Sequence, residues 1–398
     1  MRRDNYRIFS EGEIAELSLP NRLVRSATWD PSIVNSRQMS KEVLNLYKEL
    51  ALGGVGLIIT GGFTVCNQQS AEDDSNGWLL GYDGLRVEGI EELAETVHSS
   101  VADCSVIAQV ENGSVNAAPS EFTSAFSKRT YRQLTVEEIG DIVHCFVEAI
   151  VDMKKSGFDG VQIHAAHGSL LARFLSPITN NRNDAYGGSI SNRTKIIRDI
   201  VTSARKSVGK FPILIKVNCT DYLVGGTDID SFPDLATEIE RAGVDAIEVS
   251  GGMWECLFRS EKELGFRPVP APESHTRIGS TEKQSYFLKY IEKLDIAIPI
   301  ILVGGNRDIE RLEEIIGKGE VDFIALSRPL IREPDLPNRW LEGRGSQRTD
   351  CISCNSCIYS MHHHSDRLVT CVHKDDKSLH GVAQEWLSTW VERVSRRQ

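Results

Sequence analysis

The sequence predicts an α/β fold of the (β/α)₈ barrel class, followed by a short C-terminal extension that contains a cysteine cluster. Three observations predict it: eight short apolar runs lie between residues 22 and 329, helix-like stretches separate them, and 40% of the 398 residues are apolar. Continuous apolar runs are typical of strands that are buried on both faces, and their alternation with helices favours a barrel. We place the barrel at residues 1–345 and the extension at 346–398.

The eight predicted strands are short and mostly rich in β-branched residues, which favour strands. In chain order they are RLVRSAT (22–28), GVGLIITGG (54–62), SVIAQV (105–110), FDGVQIHAA (158–166), PILIKVN (212–218), VDAIEVSGG (244–252), PIILVGG (299–305) and VDFIALSRP (321–329). A doubly wound sheet is the alternative fold. It has less support because no G-x-G-x-x-G motif follows the first strand.

The clearest predicted helix follows the third strand, in the run TVEEIGDIVHCFVEAIVDMKKSG (135–157). Thr135 and Glu138 have the spacing of a capping box. Apolar residues recur along one face of the helix. Lys154 and Lys155 complement the C-terminal end of the helix dipole, and Gly157 is a typical helix stop.

The charge balance narrows the class of partner. The chain has 45 Lys plus Arg and 56 Asp plus Glu, a net charge of −11, which argues against nucleic acid or an anionic membrane. No apolar run approaches the ~18 residues that span a bilayer, and no apolar core follows the N-terminal arginines as it would in a secretory signal. We therefore expect a cytoplasmic protein with a small-molecule substrate. A homo-oligomer remains open.

Residues at the carboxyl ends of barrel strands are the first candidates for chemistry, because barrel enzymes act at that face. After the seventh and eighth strands, a glycine pair and a serine–arginine pair indicate a phosphate site, since glycine backbones approach phosphate closely and arginine adds charge. The residues at these ends are Gly304, Gly305, Asn306, Ser327 and Arg328. Glycines that merely end strands are the alternative explanation.

His164 and His167 stand three residues apart just past the fourth strand. If a helix begins there, both side chains point to one side and into the mouth of the barrel. Two imidazoles can donate hydrogen bonds to an anion or a carbonyl oxygen, or bind a metal. Gln109 can both donate to and accept from a ring amide edge. Lys216 needs an anionic or carbonyl partner, with an internal salt bridge as the alternative.

One long run carries a family resemblance. The sequence GFDGVQIHAAHGSLLARFLSPITNNRNDAYGGSISNR (157–193) closely resembles the signature of the old yellow enzyme family of FMN oxidoreductases. The pieces NRLVRSAT (21–28), GVGLIITGG (54–62), VGGN (303–306) and SRP (327–329) occur in the family's order and spacing. The resemblance extends over residues 6–375.

The resemblance implies that FMN binds without a covalent bond in a TIM barrel. The backbone of Ala27, Thr28 and Gly62 would pack on the isoalloxazine ring, and Gln109 would bond its pyrimidine edge. Lys216 would lie by N1 and the C2 carbonyl, where a fixed cation stabilises the negative charge of the reduced flavin. The phosphate would be held by Gly304, Gly305, Asn306, Ser327 and Arg328.

The resemblance also implies a reaction. NADH or NADPH gives a hydride to the flavin, which passes it to the β-carbon of an electron-poor alkene, while His164 and His167 hold the substrate's carbonyl oxygen. Ser169 stands where many members have a tyrosine proton donor, and its aliphatic hydroxyl is a far poorer acid than a phenol. Trp29 stands where many members have Thr or Cys near the flavin, and we expect it, with Asn112, in the substrate pocket.

We therefore predict an NAD(P)H-linked oxidoreductase that reduces the C=C bond of an activated alkene. Two alternatives remain open. One is an oxidative dehydrogenase or demethylase of a small amine. The other is a flavin-binding protein of low activity, because Ser169 replaces the usual tyrosine.

Four of the nine cysteines cluster in the extension with the spacing C-x₂-C-x₂-C-x₁₃-C, at Cys351, Cys354, Cys357 and Cys371. This spacing suits an iron–sulfur cluster or a tetrahedral metal. It resembles the cluster motif of the trimethylamine dehydrogenase and dienoyl-CoA reductase branch of the family. Three interpretations stay open: an iron–sulfur cluster, a zinc or other structural metal, and a thiol loop without metal. The histidine triplet 362–364 indicates a solvated loop or a metal ligand.

Overall fold

The computed structural model describes residues 2–30, 39–65, 88–112, 117–125, 128–268, 270–363 and 368–395. Eight parallel strands in it form the predicted barrel, and each of them lies within one of the eight predicted runs or extends it by one residue. Their bounds are Leu23–Arg25 (β1), Leu57–Ile59 (β2), Ser105–Glu111 (β3), Gly160–Ala165 (β4), Ile213–Asn218 (β5), Ala246–Ser250 (β6), Ile300–Leu302 (β7) and Phe323–Leu326 (β8).

The sheet closes on itself. β8 pairs in parallel with β1, with Ile324 opposite Leu23, and β3 pairs in parallel with β4, with Ile107 opposite Gly160. Every residue of β4 and β5 is buried, because one face of each strand points into the packed interior and the other lies under the helices. The prediction from continuous apolar runs is thus confirmed.

Helices follow the strands around the outside. Their bounds are Lys41–Leu52 (α1), Ile90–Ser100 (α2), Val136–Lys155 (α3), Lys195–Val208 (α4), Phe232–Arg241 (α5), Leu288–Ile291 (α6), Ile309–Lys318 (α7) and Arg328–Arg332 (α8). The capping box that begins α3 is confirmed: Glu138 N donates to Thr135 Oγ1 at 3.1 Å, and Thr135 N donates to Glu138 Oε2 at 2.9 Å.

Additional short strands and helices lie at both ends of the barrel. A hairpin of Gly12–Ile14 and Leu17–Leu19 precedes β1, and the short strand Phe63–Thr64 pairs with the end of β3. The loop after β3 adds a small sheet of Ala117–Ala118, Phe122–Thr123 and Thr130–Gln133. Short helices lie in the loops after β4 and β6, at Leu170–Leu175, Ile190–Arg193, Trp254–Phe258, Glu261–Leu264 and Thr281–Lys283.

After α8 the described part of the chain forms four more helices: Leu336–Leu341 (α9), Ser356–His363 (α10), Val372–Asp375 (α11) and Lys377–Ser395 (α12). The extension packs back onto the carboxyl-end face of the barrel. Val369 N donates to Asp30 Oδ2 at 3.0 Å, and Trp390 packs beside Leu257 in the loop after β6. No helix within the described ranges is long and apolar enough to cross a membrane.

Candidate active site

A chain of polar side chains crosses the interior of the barrel. Gln109 Nε2 on β3 donates to Gln162 Oε1 on β4 at 2.7 Å, and Gln162 Nε2 donates to Glu248 Oε2 on β6 at 2.7 Å. Because β4 and β6 are not neighbours in the sheet, the second bond can form only through the barrel interior. The predicted residue Gln109 is thus fixed by a buried network that reaches the opposite strands.

Lys216 belongs to the same network. Its Nζ lies 3.2 Å from Glu248 Oε1 and donates to Ser26 Oγ at 2.9 Å, while Ser26 Oγ donates to Glu248 Oε1 at 2.6 Å. The side chains of Lys216 and Glu248 are 5% and 0% exposed. Lys216 was expected to have an anionic or carbonyl partner, and in the structure that partner is the buried carboxylate of Glu248.

His164 and His167 do come together, with ring centroids 5.2 Å apart. The helix expected to align them is absent at this point: His164 lies on β4, His167 has a positive φ of +58°, and the next helix begins at Leu170. A single left-handed residue, rather than a helical turn, therefore brings the two rings to one side. The two rings lie together as expected, but a left-handed bend brings them together and a helical turn does not.

Burial keeps both imidazoles neutral. It lowers the pKa of His164 to about 3 and that of His167 well below its usual range. His167 Nε2 lies 2.7 Å from Ser250 Oγ, and His164 Nδ1 is buried without a hydrogen-bond partner among the residues the structure describes. Each neutral ring carries one N–H, so the pair can donate to an oxygen without burying a cation.

Glu111, the last residue of β3, stands beside this pair and is not among the residues that the sequence predicts. Its Oε2 is 4.0 Å from His164 Nε2. Burial raises the pKa of the Glu111 carboxyl to about 7. A polar residue at the carboxyl end of a barrel strand is a general signal of function, but it does not distinguish Glu111 from the other strand ends.

The remaining predicted pocket residues flank the same end of the barrel. Ser169 Oγ donates to the His164 carbonyl at 3.2 Å, so its hydroxyl is engaged with the backbone. Asn112 Nδ2 donates to the Val65 carbonyl at 3.0 Å, and its Oδ1 is buried without a partner in the described part of the chain. Trp29 follows β1 and is partly buried.

The ends of β1 and β2 lie side by side, as the flavin prediction requires of Ala27, Thr28 and Gly62. A Cβ on Gly61 would lie 2.8 Å from the Thr28 carbonyl oxygen, and one on Gly62 would lie 2.8 Å from Glu111 Cδ. Gly61 therefore allows an approach of the two strand ends that a side chain would hinder, whereas Gly62 faces the movable end of the Glu111 side chain.

Gly304 and Gly305 follow β7 with φ angles of +102° and +77°, which L side chains rarely adopt. A Cβ on Gly304 would lie 2.6 Å from Tyr286 Cε2, and one on Gly305 would lie 2.7 Å from Tyr286 Cδ1. Both positions therefore demand glycine. Glycine is required here by the ring of Tyr286, which comes from the β6–α6 loop, as well as by any phosphate that binds.

Arg328 begins α8, where the sequence placed a phosphate ligand, and it is 9% exposed. Its Nη1 donates to the His275 carbonyl at 2.9 Å and to Asn355 Oδ1 at 2.5 Å. The Ser327 and Thr28 hydroxyls lie 2.9 Å apart and join the ends of β8 and β1. The predicted phosphate residues thus converge, and the loop after β6 covers them.

Asn306 and Arg307 complete this corner. Asn306 Nδ2 donates to the carbonyls of Leu302 and Ala325 at 2.9 and 3.0 Å, so its side chain holds the end of β7 to β8. Arg307, which the sequence did not single out, is 2% exposed, and its charge lies close enough to interact with that of Arg328. Its Nη2 is buried without a partner among the described residues, which favours an anion here.

Together these donors fit a flavin nucleotide. The glycine pair and two buried guanidinium groups suit a phosphate. A side-chain amide and a fixed ammonium group across the barrel suit the hydrogen-bonding edge of the flavin ring. The neutral imidazoles of His164 and His167 lie next to these donors, where a pair that binds a substrate carbonyl beside the flavin would have to lie.

The four clustered cysteines line one small cavity, with Arg328 and Arg332 also in its wall. All are free thiols, and Arg332 Nη1 donates to Cys371 Sγ at 3.5 Å. Within the described ranges, no three His, Cys, Asp or Glu side chains come close enough together to hold a single metal ion.

The histidine triplet does not face that cavity where it is described. His363 stacks on Tyr359 with ring centroids 4.1 Å apart, and His362 and His363 both contact the Trp386 ring. The histidine that lines the cavity is His373. The third residue of the triplet, His364, lies outside the described residues.

Comparison with known proteins places the chain among flavin enzymes. A model of the NADH:flavin oxidoreductase / NADH oxidase family matches residues 7–347. An NADH oxidase of Thermoanaerobacter brockii is 33% identical over 368 residues, covering 88% of this chain and 53% of that protein. Cinnamate reductase of Clostridium sporogenes is 28% identical over 386 residues, covering 88% and 55%. The chain thus spans about half the length of these relatives.

A solved structure shows the same fold. The complex of 2-naphthoyl-CoA reductase with 2-naphthoyl-CoA superposes with a TM-score of 0.77 at 22% identity, over 92% of this chain and 56% of that one. At this identity the likeness supports the barrel fold alone.

Proposed function

The chain belongs to the NADH:flavin oxidoreductase / NADH oxidase family, and on this premise we propose that it uses FMN and NADH or NADPH to reduce the C=C bond of an activated alkene, such as an enone or enoate. The observation that carries the proposal is the pair of buried, neutral imidazoles of His164 and His167 at the carboxyl end of the barrel. It stands beside donors that fit a flavin nucleotide.

When bound, FMN would accept a hydride from the nicotinamide and pass it to the substrate. We propose that Gln109 and Lys216 hold the ring edge, and that Ala27, Thr28 and Gly62 pack on the ring. The phosphate would be held by Gly304, Gly305, Asn306, Ser327 and Arg328, to which the buried Arg307 adds an unsatisfied donor. A phosphate bound there would share the Arg328 guanidinium with the His275 carbonyl and Asn355 Oδ1, to which Arg328 Nη1 donates.

His164 and His167 polarise the substrate in this proposal. Each neutral imidazole donates one N–H to the carbonyl oxygen of an enone or enoate, which withdraws electron density from the β-carbon. Preorganised donors of this kind change a rate by roughly 10²–10³-fold each in other enzymes. The 2.7 Å contact between His167 Nε2 and Ser250, and the bond from His167 N to Asn218 Oδ1 at 3.1 Å, hold the ring in place.

Ser169 acts through His164 in this proposal. Its hydroxyl donates to the His164 carbonyl at 3.2 Å, and an aliphatic hydroxyl is a very weak acid. We therefore give it a positioning role. The name of the Clostridium relative supports an alkene substrate, because cinnamate is an aryl enoate.

The function is tested with FMN-loaded protein under anaerobic conditions. NADH and NADPH are each added first, and bleaching of the flavin band shows which one reduces the protein. An enone, an enoate and a methylated amine are then tried in separate samples. Return of the flavin band with the enone or enoate supports the proposal, and bleaching of the oxidised protein by the amine alone contradicts it in favour of amine oxidation. H164A/H167A should still bleach with NADH but reoxidise more slowly.

We also propose that Cys351, Cys354, Cys357 and Cys371 hold an iron–sulfur cluster, which needs four thiols around a space larger than a single ion. The shared cavity and the four free thiols support this. Protein purified without air is expected to contain about four iron atoms per chain, and C357S should lose most of them. Zinc in place of iron, or neither metal, would contradict the proposal.

A further inference from the structure

Alkene reduction needs a proton as well as a hydride, and Ser169 does not supply one. Its hydroxyl is directed at the His164 carbonyl. The inference that follows rests on the proposed function and concerns the acid that the reaction needs at the α-carbon.

Glu111 occupies the right place for that acid. It is the last residue of β3, at the carboxyl end of the barrel, and its Oε2 lies 4.0 Å from His164 Nε2. Its carboxyl rests on Gly62, where a Cβ would lie 2.8 Å from both Cδ and Oε1. The α-carbon is one bond from the carbonyl carbon that His164 polarises, so a carboxyl beside His164 can reach it.

We propose that Glu111 is the catalytic acid that protonates the α-carbon of the substrate. The Glu111 side chain is 21% exposed, and within the described residues no side-chain or backbone donor is hydrogen-bonded to its carboxyl. A carboxylate that was meant to stay charged in this position would be expected to have such donors.

The environment keeps a large fraction of Glu111 protonated near neutral pH. Burial raises the pKa of its carboxyl to about 7. The groups that face it from β4 are the imidazole of His164 and, behind it, that of His167, and both are neutral because burial lowers their pKa values. The nearest buried cation, Lys216, is engaged with Glu248. Glu111 is therefore a much stronger acid than Ser169, and a large fraction of it is still protonated near neutral pH.

The step balances with the reductant of the proposed function. NAD(P)H is oxidised and the alkene is reduced by two electrons: the β-carbon gains the hydride, and the α-carbon gains the Glu111 proton. The C=C π bond, the Glu111 O–H bond and the nicotinamide C–H bond that supplies the hydride break, and two C–H bonds form on the substrate. The carboxylate that remains takes a proton from solvent, to which its exposed fraction gives access.

The test compares E111Q with wild type. E137Q serves as the matched control, because it is the same substitution of Gln for Glu at an exposed position in the first turn of α3. FMN-loaded E137Q should bleach with NADH and be reoxidised at the wild-type rates, and the bleaching rate of E111Q is measured separately from its reoxidation rate. E111Q should then be reoxidised by an enone about 10²-fold or more slowly, since general acids contribute roughly 10²–10⁴-fold. E111D, which keeps an acid, should recover part of the rate.

The pH dependence and an independent titration complete the test. The wild-type reoxidation rate should fall as pH rises through about 7, because only the protonated carboxyl donates, and E111Q should lack this step. Carbon-13 NMR of labelled glutamate in the protein without FMN should show one carboxyl that titrates near pH 7 and is absent from E111Q. Circular dichroism and FMN binding of E111Q should match those of wild type.

The outcomes separate the two claims. If E111Q is reoxidised as fast as wild type, or no carboxyl titrates near neutrality, the assignment of Glu111 is overturned while alkene reduction stands. If no enone or enoate reoxidises even the wild type, the proposed function fails first and the role of Glu111 fails with it.

Discussion

Removal of the charge of Glu248 should lower the free energy of unfolding far more than a surface substitution does. Glu248 is 0% exposed and faces three donors: it accepts from Ser26 Oγ and Gln162 Nε2, and it forms an ion pair with the ammonium of Lys216. Glu248→Gln keeps the shape of the side chain but replaces one acceptor oxygen by an NH₂ donor. At least one of the three donors then loses its acceptor, and the Lys216 charge is left buried without a counter-charge.

The magnitude follows from these contacts. Breaking a buried ion pair by removal of one partner costs about 3–5 kcal/mol, because the remaining charge stays desolvated. A loss of about 4 kcal/mol raises the unfolding equilibrium constant by roughly 10³-fold, at 1.36 kcal/mol for each factor of ten. Replacement of both charges by apolar residues of similar size, as in K216M/E248L, removes the unpaired buried charge. It also leaves Ser26 Oγ and Gln162 Nε2 without their acceptor, so the double variant should recover only part of the loss.

The assay is equilibrium urea unfolding of the protein without FMN, followed by circular dichroism. E248Q is expected to lose about 3–5 kcal/mol of unfolding free energy, K216M/E248L is expected to regain part of that loss, and the exposed control E137Q is expected to change little. The reasoning is refuted if E248Q unfolds with a free energy within about 1 kcal/mol of wild type, or if the double variant is no more stable than E248Q.

Two further predictions follow from single contacts. G304A introduces a Cβ 2.6 Å from Tyr286 at a φ of +102°, and should lower both thermal stability and FMN affinity; G319A, with a φ of +76° but nothing within 4 Å of its Cβ, should lose only about 1 kcal/mol of stability and no FMN affinity. Equal losses in the two variants would contradict the packing argument. T135A removes the hydrogen bond that caps α3 and should cost about 1 kcal/mol in urea unfolding, whereas an unchanged free energy would mean that the capping box does not stabilise the helix.

Much of the fold could be predicted from the sequence because it depends on local patterns. The strands of a parallel barrel are buried on both faces, so runs such as the one around Ile163 stand out as continuous apolar segments. The capping box of Thr135 and Glu138 is specified by two residues three positions apart, and it begins α3 as predicted. Such signals need no knowledge of which strands meet.

The site was predicted in its residue types and less well in its contacts. Glu248 and Lys216 are 32 positions apart in the chain, and their pairing depends on the register of β5 and β6, where Lys216 lies opposite Glu248. The positive φ of His167, which sets the geometry of the pair, is a single-residue bend that no periodicity signals. Glu111 looks like an ordinary strand end until closure of the barrel places it beside His164.

The central claim is tested most directly by the stoichiometry of one anaerobic reaction. FMN-loaded protein is given NADH or NADPH and 2-cyclohexenone, and the products are counted by mass spectrometry. Our account predicts one saturated ketone for each nicotinamide oxidised, and none from protein without FMN. Oxidation of the nicotinamide with the enone recovered unchanged, or a protein that binds no FMN, would contradict it.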